Sequence, residues 1–279
     1  HLGRWMVDKL ERYGYEKVDT LWAEDEDSNI NDEVREIIVN GVGIAISRGW
    51  LSACYDVDDI REPIIPDNGR KTPFVIAVTC LSFETQEGFF QSADNRGEGG
   101  PIATIAMKGL SHTTPNNSLL GGSLRGMVHF DLNQVGLIQM FGKYQMWSDQ
   151  RYQLGVLALD NVAVFRLMGD PTTEIITRNP IPLEAEYPEQ ISIGATGFSV
   201  QVSSQGESVP DAWVSIHQED GIHLVCQPCE DGWARFTFAP GELSEGALGV
   251  TITRYNALPV IDTIELISDG DRVDLTNIQ

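Results

Sequence analysis

The sequence predicts two domains: an α/β domain built on a mostly parallel sheet with helices on both faces, and an all-β sandwich after it. In residues 1–179, segments with helical periodicity alternate with short continuous apolar runs, which are typical of buried parallel strands. In residues 180–279, short stretches of alternating apolar and polar residues are separated by turn residues, which is typical of a sandwich.

The first domain follows from the order of its segments. The strongest strand is the β-branched run at 73–79, which ends at Cys80, and residues 111–117 have no apolar periodicity and are predicted to be a loop. Alternation of strands and helices favours a mostly parallel sheet. The predicted elements are helices at 4–13 and 32–39, strands at 42–47, 73–79 and 101–107, helices at 119–128 and 134–147 despite their glycines, and a last strand at 161–168.

The second domain begins where three prolines, Pro180, Pro182 and Pro188, mark a change of pattern. Turn residues then recur at the spacing of about 8–12 residues that is expected of a sandwich. The predicted strands are the alternating runs at 198–202, 212–216, 234–238, 248–252 and 263–267.

The chain is strongly acidic, with 41 Asp and Glu against 19 Lys and Arg and a formal net charge of −22. Such a chain has no basic surface that would neutralise phosphates, so nucleic acid and anionic membranes are excluded as expected partners. The longest apolar runs, at 74–78 and 162–165, fall far short of the roughly 18 residues that cross a bilayer. We therefore expect no membrane span.

Four cysteines are too few for a disulfide scaffold in a chain of 279 residues. Cys226 and Cys229 form a single C-x-x-C motif. This spacing fits a disulfide, half of a metal site or two ordinary thiols, and the sequence does not choose among them. The cysteines therefore leave the redox compartment open.

Chemistry in an open α/β sheet is expected beyond the carboxyl ends of the strands. One such end carries Cys80, where a thiolate nucleophile would stand, and the segment after the next strand carries His112, which is the only histidine near these ends. The two side chains would form a nucleophile–base pair if they met within about 3–4 Å. On residue type alone, Cys80 is equally well interpreted as a small core residue.

Several motifs between Glu33 and Thr85 and beyond follow one another in a specific order. They are Asn40-Gly41, Ser47-Arg48-Gly49-Trp50-Leu51-Ser52, Asp59-Ile60, Thr72-Pro73-Phe74-Val75-Ile76-Ala77-Val78-Thr79-Cys80, Gly100-Pro101-Ile102-Ala103, Gly142-Lys143 and Leu167-Met168-Gly169-Asp170-Pro171. In this order they resemble the gingipain-type cysteine peptidases, whose peptidase domain is caspase-like. The stretches at 209–214, 231–234 and 250–259 resemble the immunoglobulin-like module that follows the gingipain peptidase domains.

The resemblance implies that residues 1–179 are the second, caspase-like subdomain of a peptidase domain and that residues 180–279 are an immunoglobulin-like module. It implies a secreted or cell-surface protein that acts on proteins or peptides or binds an extracellular protein. It also implies an upstream half of the peptidase domain, which is a further candidate partner. Because the chain begins at His1 without an initiator Met or a signal sequence, we expect a processed product or a fragment.

The sequence departs from the family where the catalytic histidine is expected. Trp50 occupies that position, or Ile44 in a rival register, and neither side chain accepts a proton. A second departure is Leu81-Ser82-Phe83 after the cysteine, where the family tends to have glycine within the turn. The remaining base is His112, whose alternative interpretation is a loop histidine bonded to backbone. A thiol without an imidazole is only a few per cent thiolate at neutral pH, so catalysis is predicted to be impaired or absent.

Two functions are therefore expected from the sequence. The first is a gingipain-like cysteine endopeptidase, with Cys80 as nucleophile and His112 as base. The alternative is a pseudopeptidase that serves as a structural or binding module in an extracellular assembly. No cofactor is required and no catalytic metal is predicted, but the resemblance implies that calcium could serve as a structural ion. Its oxygen ligands would come from the acidic clusters at 24–27 and 56–59, for which a solvated surface is the alternative.

Overall fold

A computed structural model describes residues 2–21, 30–48, 67–69, 71–83, 99–110, 112–154, 156–219 and 221–268. The chain divides into two compact units, His1–Asn179 and Pro180–Gln279. Among the helices in the described ranges, none is long and apolar enough to cross a membrane.

The first unit alternates helices with short strands. Helices α1 and α2 precede the first three strands, and three further helices lie between the third strand and the fourth. In chain order the elements are α1 (Leu2–Tyr13), α2 (Ile30–Asn40), β1 (Ile44–Ser47), β2 (Phe74–Ala77), β3 (Ala103–Met107), α3 (Thr113–Phe130), α4 (Val135–Leu154), α5 (Val156–Val164) and β4 (Phe165–Met168).

These four strands form one sheet in the order β1-β2-β3-β4. The pairs β1–β2 and β2–β3 are parallel, with Ser47 opposite Ala77 and Ile76 opposite Ile105, whereas β4 runs antiparallel to β3. The prediction of a mostly parallel sheet is confirmed. Because the first three strands are parallel, their carboxyl ends lie along one edge of the sheet.

Helices cover both faces of this sheet, as predicted. Phe74 and Ile76 belong to a core that includes residues of α1, α3 and α4. Val75 and Ala77 point to the other face and belong to a second core with Ile38 of α2. All residues of β2 and β3 are buried, which explains why these strands are continuously apolar instead of alternating.

Helices α3 and α4 form a hairpin that depends on glycine. A Cβ on Gly142 would lie 2.3 Å from Ser123 Oγ and 2.9 Å from the carbonyl oxygen of Leu119, and a Cβ on Gly122 would lie 2.5 Å from Gln145 Cβ. The two backbones approach this closely only because both positions lack a side chain. Glycines that disfavour a helix by intrinsic propensity are therefore explained by helix packing.

Two boundaries differ from the prediction. Residues 113–117, predicted to be a loop, are the start of α3, with His112 at the N-cap and Pro115 in the first turn. Proline is tolerated there because the first backbone N–H groups of a helix have no intrahelical partner. Residues 161–164, predicted to be a strand, are the end of α5, and β4 begins only at Phe165. Val162 and Val164 contact the core from the helix, so tertiary packing outweighs their β-propensity.

The motif at 167–171 has a structural role. Asp170 Oδ1 accepts hydrogen bonds from the hydroxyl and the backbone N–H of Thr172, at 2.7 and 2.8 Å, and these bonds lower the pKa of Asp170. The carbonyl oxygen of Pro171 accepts a bond of 2.9 Å from the N–H of Gly136, in the first turn of α4. The motif thus satisfies a donor at the start of this helix that has no intrahelical partner.

In the second unit, every element of secondary structure within the described residues is a strand. One sheet has the order β11-β10-β13-β15-β7, another has the order β12-β8-β6 with β9 paired to β8, and β14 pairs with β5. The strands are β5 (Ile181–Pro182), β6 (Glu184–Glu186), β7 (Gln190–Ser192), β8 (Gly197–Ser204), β9 (Glu207–Ser208), β10 (Trp213–His217), β11 (His223–Cys226), β12 (Trp233–Thr237), β13 (Gly246–Thr253), β14 (Ala257–Leu258) and β15 (Val260–Ile267).

The two larger sheets contribute to a single hydrophobic core. Val214 and Val250 come from one sheet, and Val200 and Phe236 come from the other. All five runs predicted as strands from their alternation are strands. The additional strands have two to four residues, which is too short for a period of two to be recognised in the sequence.

Cys226 and Cys229 are thiols and not disulfide partners. Cys226 packs against the core, and its Sγ donates to the carbonyl oxygen of Gln227 at 3.2 Å, whereas Cys229 is exposed. The two cysteines therefore have different surroundings. The sequence left three interpretations open, and this arrangement fits the one in which the two cysteines are ordinary thiols.

Replacing Gly142 by alanine should destabilise the first unit by about 1–3 kcal/mol, the usual cost of overpacking, because the new methyl group would contact the backbone of α3. The matched control is Gly121→Ala on the same helix pair, where a Cβ meets nothing within 4 Å. This control should stabilise the helix by about 0.5–1 kcal/mol. Urea unfolding followed by circular dichroism at the helix band measures both, and equal effects would contradict the close-packing explanation.

Replacing Tyr187 by phenylalanine should make the folding stability of the chain decrease less steeply with rising pH above about pH 10. Tyr187 donates to Asp262 Oδ2 at 2.6 Å, and burial together with this bond raises the pKa of Tyr187 to about 12. The folded chain then holds a proton that the unfolded chain releases near pH 10, so this stabilisation is present below pH 10 and is lost as the pH approaches 12. Melting temperatures between pH 9 and 12 test this, with Tyr144→Phe, an exposed tyrosine, as the control.

Candidate active site

The candidate site lies along the carboxyl edge of the parallel strands. Arg48 follows β1, Cys80 follows β2 by three residues, and His112 follows β3 by five residues and stands at the N-cap of α3. Because β2 lies between β1 and β3, the structure brings these three segments to one edge. Trp50, which the sequence predicts at the family's histidine position, lies outside the described residues.

Cys80 lies where burial of its strand ends. The residues of β2 and Val78 after it are buried, whereas Thr79 and Cys80 are half-buried. The thiol is therefore in the turn beyond the core and not among the apolar side chains of the sheet. This position suits a nucleophile that a substrate must reach.

The turn that carries Cys80 is fixed by the hydroxyl group of Ser82. Ser82 Oγ donates to the carbonyl oxygen of Ala77 at 3.0 Å and accepts from the backbone N–H of Met107 at 3.0 Å. Ala77 and Met107 are the last residues of β2 and β3. Ser82 is 1% exposed, so the hydroxyl replaces the hydrogen bonds that water cannot supply there.

Leu81 adopts a conformation that favours glycine. Its φ is +56°, and its backbone N–H donates to the carbonyl oxygen of Gly109 at 2.8 Å. A left-handed conformation costs a residue with a side chain about 1–2 kcal/mol. The structure thus places backbone strain directly beside Cys80, and strain is often associated with function.

His112 has an exposed side chain at the start of α3. Its backbone has φ −105° and ψ 144°, its carbonyl oxygen accepts from the N–H of Asn116 at 3.2 Å, and its imidazole makes no capping bond. The imidazole is therefore not engaged as a helix cap. Its role as a base toward Cys80 stays a prediction.

Arg48 connects the end of β1 to α3. Its Nε donates to Asn117 Oδ1 at 2.7 Å. Sequence reasoning quoted Arg48 only as part of a motif and missed both this bond and the role of Ser82. A buried serine directly after a nucleophile motif gives no signal in a single sequence, because its partners lie on another strand.

The register of β1 excludes the rival position for the missing histidine. Ile44 is opposite Phe74, the first residue of β2, whereas Cys80 lies three residues after the last. At about 3.3 Å per residue, Ile44 is roughly 10 Å from the carboxyl end of its strand. A side chain at position 44 would therefore lie far from the Cys80 turn, whereas Trp50 as the family's histidine position stays a prediction.

The acidic clusters at 24–27 and 56–59 lie outside the described residues, so a structural calcium ion stays a prediction. Within the ranges that are described, no group of three or more His, Cys, Asp or Glu side chains is arranged to hold a metal ion.

Comparison with known proteins identifies the first unit. The model of peptidase family C25 matches residues 6–176. A comparison with curated proteins finds no significant match. The family match covers more than half of the chain and includes both Cys80 and His112.

Solved structures with the same fold come from gingipains. The crystal structure of the Arg-specific cysteine proteinase gingipain R matches with a TM-score of 0.64 at 17% identity and covers 95% of this chain and 62% of that chain. A complex of the pro- and mature domains of Porphyromonas gingivalis RgpB matches with a TM-score of 0.63 at 18% identity, covering 95% and 63%. This chain therefore spans less than two thirds of the length of either.

The family match coincides with the unit whose parallel strands place Cys80 in a hydrogen-bonded turn at their carboxyl edge. It confirms the family predicted from the order of the motifs. The chain belongs to peptidase family C25, the gingipain family of cysteine peptidases.

Proposed function

We propose that this chain carries the nucleophile-bearing half of a gingipain-type cysteine endopeptidase, with Cys80 as nucleophile, and that its catalysis is impaired because Trp50 replaces the catalytic histidine. The observation that carries the proposal is the position of Cys80: a half-buried thiol in a fixed turn at the carboxyl edge of a family C25 unit. Protein or peptide chains are the substrates that this family implies.

The chemistry explains why the missing base matters. The thiolate of Cys80 would attack a peptide carbonyl carbon, and the leaving amine would need a proton from a neighbouring acid. By analogy with serine peptidase triads, loss of the base costs on the order of 10⁴–10⁶ in rate. His112 is the substitute that the fold offers, because its segment follows the strand next to that of Cys80 and its imidazole is exposed.

The second candidate is a pseudopeptidase that keeps the fold as a structural or binding module. The observation that favours it is Leu81, which keeps the left-handed turn at φ +56° without the glycine that makes such a turn inexpensive. Together with Trp50, this is a second departure at the site itself. Both departures are consistent with a site that is no longer required to catalyse peptide cleavage.

The second unit fits an immunoglobulin-like module that attaches the protein to its surroundings. Two sheets with a common core and the motifs at 209–214 and 250–259 support this assignment. The function then belongs outside the cell or at its surface.

The proposal also includes a protein partner and an ion. Since the chain spans 62% of the gingipain R chain, the upstream half of a peptidase domain is a further partner on this proposal. Calcium is proposed as a structural ion at the acidic clusters.

A peptidyl probe with a thiol-directed electrophile should label Cys80 in the full chain at neutral pH. His112→Ala should reduce the labelling rate at least tenfold if the imidazole is the base, whereas His129→Ala, an exposed histidine near the end of α3, should not change it. Peptide mapping by mass spectrometry locates the label. Exposed Cys229 is the internal reference. Labelling of Cys229 without Cys80 would favour the pseudopeptidase.

Trp50→His should restore the missing base and raise the rate of labelling at Cys80, and of protein cleavage, by about 10²-fold or more, within the usual range for general base catalysis. The matched control is Ile44→His, which the strand register places away from the site. Rates measured with one probe and one protein substrate compare the two variants. A gain in neither variant would mean that more than the histidine has been lost, and a gain only in the control would contradict the register.

A further inference from the structure

The described residues at the carboxyl edge of the sheet include cationic side chains and no acidic ones, in a protein of net charge −22. The described residues that form it are 47–48, 78–83, 107–110 and 112–118, and these segments contain no aspartate or glutamate. They contain Arg48, Lys108 and His112. The amino end of the 18-residue helix α3 also lies there, with no acidic residue in its first turn, and a helix amino end favours negative charge.

Arg48 is held in a way that leaves its binding groups available. Its Nε is bonded to the neutral amide of Asn117, whereas its Nη1 and Nη2 groups have no ion-pair partner among the residues that the structure describes. Other arginines, such as Arg178 with Asp131 and Arg235 with Asp231, pair with carboxylates at 2.9 and 2.7 Å. An arginine fixed by one nitrogen presents the other two as a fork that matches a carboxylate.

The position of Arg48 places this fork near the candidate nucleophile. The backbone N–H of Val78 donates to the carbonyl oxygen of Ser47 at 3.0 Å, so Arg48 is level with the residue that lies two positions before Cys80. Neighbouring strands are about 4.8 Å apart. A peptide bound with its backbone at Cys80 would therefore have side chains within reach of the guanidinium group.

We propose that Arg48, anchored by Asn117, binds a carboxylate of the peptide that occupies this cleft, so that the site takes acidic segments of protein. The inference deepens the proposed function and rests on its assignment of a peptide-binding cleft beside Cys80. The Arg-specific proteinase that shares the fold is named for a substrate residue of opposite charge. Arg48 here recognises the substrate and takes no part in bond breaking.

The test measures binding and not turnover. The full chain with Cys80→Ala is titrated into two pools of fluorescent octapeptides that are identical except that one central residue is Glu in one pool and Gln in the other. We expect the Glu pool to bind about tenfold more tightly or better, as for a charge-assisted bidentate pair. Because the net charge of −22 by itself repels the Glu pool, such a preference reports a local cationic site.

Variants identify the residue responsible. Arg48→Gln should abolish the preference for Glu, Arg48→Lys should keep part of it because an ammonium group lacks the fork, and Asn117→Ala should weaken it. The matched control is Arg125→Gln, which removes an exposed arginine from the middle of α3 and should leave the preference unchanged. Circular dichroism spectra of all variants should overlay, since both arginines are exposed.

Two results would overturn the proposal: equal binding of the two pools, or an unchanged preference in Arg48→Gln. Failure of the proposed function gives a different pattern. If Cys80 is not labelled by the thiol-directed probe but the Glu pool still binds through Arg48, the cleft is an acidic-peptide site without peptidase activity. If neither pool binds and Cys80 is labelled, the nucleophile is present and the carboxylate assignment is wrong.

Discussion

The hydroxyl group of Ser82 is the contact on which the geometry of the candidate site depends. It joins the last carbonyl group of β2 to the last N–H group of β3, at Ala77 and Met107, and thereby extends the connection between the two strands beyond their ladder. Without it, two backbone groups at these strand ends would each lose a hydrogen bond, and a buried group left unsatisfied costs about 1–3 kcal/mol. Because this bond closes the turn that contains Cys80, the thiol is presented at a fixed position and not on an unconstrained loop.

That turn matters because the two central strands of the sheet, β2 and β3, are buried along their whole length. Helices on both faces bury every residue of β2 and β3, and the close approach of α3 and α4 at Gly122 and Gly142 completes one of these layers. A ligand can therefore reach β2 and β3 only at their ends. At the carboxyl end, the described residues include the amino terminus of α3 and Arg48 bonded to Asn117, and on our proposal these cationic groups select what approaches Cys80.

Family membership is shown for this chain, whereas impaired catalysis is a proposal. The fold of a C25 peptidase and a thiol at the carboxyl edge of its sheet are present, whereas on our proposal Trp50 replaces the base. Leu81 carries a conformational cost in the same turn that glycine would avoid. On the two proposals together, the cleft recognises peptides through Arg48 whether or not the thiol reacts, so binding is the property that this scaffold retains and catalysis is the property that depends on one side chain.

The amino-acid sequence by itself determined the mostly parallel sheet, the five long strands of the second unit, the family and the place of Cys80 after β2, because these follow from local periodicity and from the order of short motifs. Only the tertiary structure decided that α3 begins at Thr113, that Ile44 is far from the site and that Arg48 bonds to Asn117, 69 residues away in the chain. The physical reason is that such features arise from contacts between distant segments, and no pattern within either segment specifies its partner.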